Sequence, residues 1–310
     1  MTNIEKTDSG KLSELRTFPV PLALSEIKDN VSICTNGISQ NSKEQLMNKA
    51  FKFHSQGNIL EAAKYYQYFI NQGFKDHRVF SNYGTILKND GNLQDAELYS
   101  RKAIELNPNF AEAHSNLGNT LKDLGRSKEA EIAYRKAIEL KPEFANAHSN
   151  LGTILIDLGK LKEAELYTRK AIELNPNFAE AYLNLGTIFK DLGKSKKALD
   201  SYIKVIEINP RISNIYTSIT SLLRDSDISQ LNQSNLQNAL NILLSKADIP
   251  HEELFRAFNY YYKKELQKVK KGLDSSFSEE ELFIFFINSK LVIKALKQII
   301  FKDIEWEKIL

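Results

Sequence analysis

The chain has few of the residues that cross-link, ligate or span. It holds one cysteine, Cys34, in 310 residues, which excludes an internal disulfide framework and a multi-cysteine metal site. No apolar run approaches the ~18 residues of a membrane helix. Charge of either sign is nearly cancelled: 42 Lys and Arg against 39 Asp and Glu leave a formal +3, too weak a field to point to nucleic acid or a membrane as partner. Catalytic signatures are missing as well. Neither HExxH nor a glycine-rich dinucleotide fingerprint occurs, and His54, His77 and His251 have no metal-spaced companions. Gly193-Lys194-Ser195 lacks the glycine spacing of a phosphate loop and repeats, as Gly125-Arg126-Ser127, a turn between helices. No enzyme activity, cofactor or metal is therefore expected. The opening MTNIEKTDSG has no basic stretch leading into an apolar core, so no secretory signal is expected and the sequons at Asn30 and Asn232 are read as chance. The expected location is the cytoplasm.

What the chain has instead is repetition. AEAHSNLGNTLKDLGRSKEAEIAYRKAIELKPEF (111–144) is followed directly by ANAHSNLGTILIDLGKLKEAELYTRKAIELNPNF (145–178). Self-similarity at this period marks a solenoid, whose repeats bury their apolar faces against their neighbours. Five units start at Lys43, His77, Ala111, Ala145 and Ala179 (repeats 1–5, residues 43–76, 77–110, 111–144, 145–178 and 179–212). Each reads as two helical stretches parted by a glycine: Gly57, Gly91, Gly125, Gly159 or Gly193. Glycine adopts the left-handed conformation that stops a helix and turns the chain back. Pro108, Pro142, Pro176 and Pro210 close four units, because proline lacks the donor a continuing helix needs. Small residues at position 8 (Ala50, Gly84, Gly118, Gly152, Gly186) and position 20 (Ala62, Ala96, Ala130, Ala164, Ala198) are expected to face each other where the paired helices approach closely.

Outside the repeats, residues 1–42 lack sustained periodicity and read as a mostly disordered arm. Residues 213–225 read as one more first helix (with Arg211 at its start) lacking the usual second, and 226–310 as a C-terminal helical region. That region has Leu254, Phe258 and Tyr261 at amphipathic spacing and a capping box at Ser278 and Glu281. Lys263 to Lys271, beside Tyr260 to Tyr262, reads as a solvated basic face rather than a nucleic-acid surface. Residues 282–310 are apolar on nearly every side, from Phe283 to Trp306, and need a cover: the repeats, a second copy by self-association, or further sequence.

The pattern resembles the tetratricopeptide repeat family over 43–212. The family's position-4 aromatic is replaced here by Leu46, Phe80, His114, His148 and Tyr182, so the two histidines are expected to be packing residues. The resemblance implies an all-α fold, a right-handed α-solenoid of helix hairpins whose first helices line an inner surface. Chaperone-binding members clamp a C-terminal carboxylate with a lysine at position 5. Met47, Ser81, Ser115, Ser149 and Leu183 stand there instead, so that clamp is absent.

Position 6 is asparagine in every unit: Asn48, Asn82, Asn116, Asn150 and Asn184. Asparagine is a mediocre helix residue whose amide competes for backbone bonds, and five copies inside helices need a reason. One acceptor and two donors suffice to bind a peptide backbone whatever its side chains. The inward asparagine ladder in the repeat domain of O-linked N-acetylglucosamine transferase is similar, and the resemblance places that role on these five residues. Seven residues later, Asn89, Asp123, Asp157 and Asp191 form a second line on the same face, one that favours basic or hydroxyl-bearing ligand segments. The other reading is a solvated helix C-terminus before the glycine turn, against which counts that carboxylates there oppose the macrodipole.

The sequence thus predicts a non-catalytic scaffold that binds a protein or peptide partner in an extended form. Two other readings stand beside it. The repeats followed by HEELFRAFNYYYKKELQK and LVIKALKQIIFKDIEWEKIL resemble the front of bacterial tetratricopeptide proteins that continue into a methyltransferase, sulfotransferase or glycosyltransferase. Alternatively, the extended segment Phe18-Pro19-Val20-Pro21-Leu22 could occupy the groove from within.

Overall fold

The structure, a computed structural model, describes residues 40–212, 214–246, 251–254 and 256–261. The N-terminal arm, residues 1–42 apart from 40–42, with Cys34 and the Phe18–Leu22 segment, the basic stretch from Lys263, the Ser278 capping box and the apolar segment 282–310 all lie outside the described residues. The described residues are helical between turns and fall into two compact units, 1–140 and 141–310.

The first unit holds three hairpins: α1 (Gln40–Ser55) with α2 (Ile59–Asn71), α3 (His77–Asn89) with α4 (Leu93–Leu106), and α5 (Ala111–Asp123) with α6 (Ser127–Leu140). Each turn is built locally. At the end of α3, Gly91 takes φ +81° and its N–H meets the Lys88 carbonyl, while the Asn92 N–H reaches back to Leu87 at 2.9 Å. This double closure satisfies carbonyls that the helix end would leave open. Asn92 then caps α4, its side chain accepting from the Asp95 N–H. Repeat 1 lacks the closing proline, and a second left-handed glycine, Gly73 at φ +77°, does that work before Asp76 caps α3. Helix α1 starts at Gln40, ahead of the expected Lys43.

The close approach within hairpins follows the expected pairing in part and adds a partner to it. The position-8 glycines face position 24, not the alanine side chains of position 20. A Cβ on Gly118 would lie 2.7 Å from the Tyr134 ring, and one on Gly84 would lie 3.2 Å from Ser100 Oγ. A helical side chain leans toward the N-terminus and covers the turn before its own Cα, so residue 24 reaches over the alanine turn to the glycine. The position-20 backbone is close as well: a Cβ on Gly84 would lie 3.2 Å from the Ala96 carbonyl oxygen, and one on Gly152 3.7 Å from that of Ala164.

The second unit holds α7 (Ala145–Asp157) with α8 (Leu161–Leu174), α9 (Ala179–Asp191) with α10 (Ser195–Ile208), and α11 (Asn214–Asp225). Helix α11 is not left unpaired, as the sequence suggested. After a 3-10 turn at Ile228–Gln230, α12 (Gln233–Leu243) packs on both α10 and α11. One core runs from Leu199 and Tyr202 through Ile219, Leu236 and Leu240 to Leu254 and Phe258. The end of α11 is closed by Arg256, whose guanidinium donates to the carbonyls of Arg224 at 3.0 Å and Ser226 at 2.7 Å. Loss of the repeat period beyond 226 therefore does not end the core.

Candidate functional site

The sixth residue of α1, α3, α5, α7 and α9 is asparagine when counted in repeat register, and the thirteenth residue of α3, α5, α7 and α9 ends its helix. Asn48 is exposed, whereas Asn82, Asn116, Asn150 and Asn184 are half-buried. The reason lies one repeat back. Asn116 Nδ2 donates to Ser81 Oγ at 2.9 Å, and Asn82 Nδ2 donates to Tyr66 Oη at 3.2 Å. In the second unit Asn184 Nδ2 donates to Thr153 Oγ1 at 2.9 Å and approaches the hydroxyl and carbonyl of Ser149. Thr153 Oγ1 itself donates to the Ser149 carbonyl at 3.3 Å, so its oxygen is left to accept from Asn184, which sets the orientation of that amide. The Oδ1 atoms of Asn82, Asn116 and Asn184 receive no hydrogen bond among the described residues.

These holding groups, Ser81, Ser149 and Thr153, were missed by sequence reasoning, which took the position-5 serines only as missing lysines. Tyr66 belongs with them. Its hydroxyl meets His54 Nδ1 at 2.9 Å. Burial pushes the Tyr66 phenol up to about 12 and the His54 imidazole below its ordinary value. Near neutral pH the phenol therefore stays protonated and the imidazole neutral, so Tyr66 donates to His54 and accepts from Asn82.

The position-13 line is less uniform than its sequence. Asn89, Asp123, Asp157 and Asp191 are all exposed. Asp123 Oδ2 pairs with Lys88 Nζ, a position-12 residue of the preceding repeat, at 3.2 Å. Asp157 and Asp191 have no ion pair among the described residues. His148 is buried, as expected of a packing residue, whereas His114 is only half-buried, and both carry a polar link. Nε2 of His114 donates to the Pro108 carbonyl at 2.9 Å, and that of His148 to Pro142 at 2.8 Å. Tyr216 Oη makes the same bond to the Pro210 carbonyl at 2.6 Å. A polar ring six residues after a repeat-closing proline was the available signal. No group of three His, Cys, Asp or Glu suited to a metal occurs among the described residues, and no described helix is long and apolar enough to cross a membrane.

Comparison with known proteins agrees with this architecture. The tetratricopeptide repeat family models match 77–110, 111–144, 145–178 and 179–212. Repeat 1, which closes with Gly73 instead of proline, falls outside these matches, and so does the segment after 212, where the transferase-linked similarity rests on sequence pattern alone. No curated protein matches the chain. Among solved structures, a tetratricopeptide repeat protein from Parabacteroides merdae ATCC 43184 is 18% identical, with 82% of this chain and 99% of that chain covered at a TM-score of 0.53. This likeness concerns the fold. MamA from Desulfovibrio magneticus RS-1 is 22% identical, covering 57% of this chain and 99% of that one at a TM-score of 0.49. YrrB, a TPR protein with an unusual peptide-binding site, is 25% identical over 64% of this chain and 98% of that one, also at 0.49. Hairpin geometry, recurring glycines and family match coincide over the same residues: 77–212 are four tetratricopeptide repeats with an all-α, solenoid-class fold.

Proposed function

We propose that the protein is a non-catalytic scaffold that binds an extended segment of a partner protein, with Asn48, Asn82 and Asn116 in the first unit and Asn150 and Asn184 in the second as backbone-binding groups. The observation that carries this reading is the held amide. In Asn116 and Asn184 one N–H is tied to a hydroxyl of the preceding repeat, and the carbonyl oxygen has no donor among the described residues. An acceptor fixed in advance costs little entropy to engage, and a ligand N–H satisfies it without regard to side-chain type. Asp157 and Asp191, exposed and without ion pairs among the described residues, would favour cationic or hydroxyl-bearing side chains. Asp123 contributes less because Lys88 already engages it, and Asn89 adds a neutral polar group at the same helix position.

The test is a selection of binders from a random peptide library on the full chain, followed by the triple variant Asn116→Ala, Asn150→Ala, Asn184→Ala. Each lost side-chain bond costs about 1 kcal/mol of stability, so the variant should stay folded by circular dichroism while selected peptides bind at least about tenfold more weakly. Unchanged affinity in the folded variant removes the assignment, and so does a library that yields no binder.

A further inference from the structure

In the first unit, repeat 3 departs from its neighbours through a tyrosine displaced by one residue. Position 23 is tyrosine in repeats 1, 2 and 4: Tyr65, Tyr99 and Tyr167. In repeat 2 the Tyr99 ring lies 5.9 Å from Phe80 and 5.0 Å from Tyr83, and in repeat 4 Tyr167 lies 5.8 Å from His148. This ring covers position 4 of the paired helix. Repeat 3 reads Ala133-Tyr134 instead. One residue turns a side chain about 100° around a helix, so Tyr134 enters the α5–α6 seam, buried against Gly118, and donates to Asn119 Oδ1 at 2.7 Å. Ala133 then leaves His114 without an aromatic neighbour among the described residues.

The result is a cavity of about 460 Å³ between α4, α5 and α6, walled by Ile104, Leu117, Leu121 and Ala133 and reached by His114. Ile132, 69% exposed, extends the apolar surface at its mouth. Repeat 5 has the same order, Ser201-Tyr202, yet fills the corresponding place by other means. Phe189 replaces Leu121 and Tyr182 replaces His114. Phe189 is 3% exposed, with Arg169 at 5.5 Å and Lys197 at 5.6 Å over its ring. Repeat 3 has no such substitute.

We propose that this cavity binds an aromatic side chain, tyrosine or phenylalanine, presented by a partner protein with a cationic group beside it. The neighbouring repeats show the occupant's chemistry, since they place a tyrosine ring of their own against the same wall. Size agrees, because a cavity of about 150 Å³ already holds benzene. Charge selects the flank. At the rim Arg101 is paired with Glu97, Lys136 with Glu139 and Glu129 with Arg126, while Glu105 has no ion pair among the described residues. The site uses none of the proposed backbone-binding asparagines, so it stands or falls independently of the peptide-binding proposal.

Two probes test it on the full chain by NMR titration: p-cresol, a tyrosine side-chain analogue, and tyramine, the same ring carrying an ammonium group. Saturable shifts at the Ala133 methyl and the His114 ring are expected, with tyramine binding a few-fold tighter at low salt and losing that advantage in Glu105→Gln. Ala133→Tyr places a ring in the cavity and should weaken both probes by about tenfold or more. Tyr65-Tyr66 in α2 shows that adjacent tyrosines suit this helix. Leu121→Phe, which copies the Phe189 of repeat 5, is the second cavity-filling variant should the first fail to fold. Equal probe binding by wild type and a folded cavity-filling variant overturns the proposal, as do shifts that never saturate. A chain that self-associates without probe and becomes monomeric on Ala133→Tyr overturns the assignment to a partner protein, since a second copy would then supply the ring.

Discussion

Repeats 3 and 4 share most of their residues and solve one packing problem in opposite ways. Both carry a glycine at position 8 and a histidine at position 4 whose Nε2 donates to a proline carbonyl. In repeat 3 the tyrosine seals the seam between its helices, where Tyr134 is fully buried and bonded, and the flank beside His114 stays open. In repeat 4 the tyrosine covers the flank, so His148 is only 5% exposed, and the seam receives Thr168. The hydroxyl of Thr168 and the Nδ1 of His148 are buried there without a hydrogen-bond partner among the described residues. One ring can close the seam or the flank, and repeat 1, with Tyr65 and Tyr66, places a ring at each position. Copying a repeat thus preserves the backbone while a single aromatic decides where a hollow remains.

The contrast is broken most strongly by removing each ring. Tyr134→Ala empties a fully buried site and should cost about 4 kcal/mol, whereas Tyr167→Ala, at a half-buried site, should cost about 2 kcal/mol. Urea unfolding of the two variants measures the difference, and equal costs would show that seam and flank are energetically alike. A smaller effect separates the glycines. Gly118→Ala drives a methyl against the buried Tyr134 ring at 2.7 Å and should destabilise by about 1–3 kcal/mol. Gly84→Ala meets Ser100 Oγ and the Ala96 carbonyl oxygen, each at 3.2 Å, and the better helix propensity of alanine offsets most of the strain, leaving a change within about 1 kcal/mol. Thermal melts that rank Gly84→Ala as the worse of the two would reverse the proposed role of position 24.

The smallest effect is that of the phenol hydroxyl. Tyr134→Phe loses the bond to Asn119 and should cost about 1 kcal/mol near neutral pH. Burial raises the Tyr134 phenol above its ordinary value, with the Asp123 carboxylate adding to the shift. The protonated phenol is therefore favoured in the folded state. That contribution is complete below the unfolded phenol value of about 10 and fades as pH rises toward the raised folded value. Tyr66 and Tyr83, pushed up to about 12, act in the same direction. Stability should fall above about pH 10, and less steeply in Tyr134→Phe than in the parent. Parallel slopes in alkaline melts would detach Tyr134 from that loss.

Much of the fold could be read along the chain because its causes are local. The five interhelix glycines all have positive φ, and helices α3, α5, α7 and α9 start and end where the repeat predicts. The same register put every position-6 asparagine and position-13 residue at its place on a helix. What those asparagines touch was not legible, since the partners of Asn116 and Asn184 sit 35 and 31 residues earlier. The Lys88–Asp123 pair, likewise between repeats, changed the meaning of one member of the acidic line, while Asp157 and Asp191 have no ion pair among the described residues. The position-24 side chain over each position-8 glycine was not legible for a related reason: sequence spacing marks small residues but not the lean of the side chain that crosses between helices.

The amino-acid sequence alone settled the period, the hinges and the helical register, because a left-handed glycine, a proline stop and a 3.6-residue turn act within a few bonds of their own position. Only the tertiary structure decided which amide proton is engaged, which ring enters a seam and where a cavity opens. Those outcomes depend on the direction of a side chain relative to a neighbouring helix, and a shift of one residue turns that direction by about 100° while leaving the helix itself unchanged.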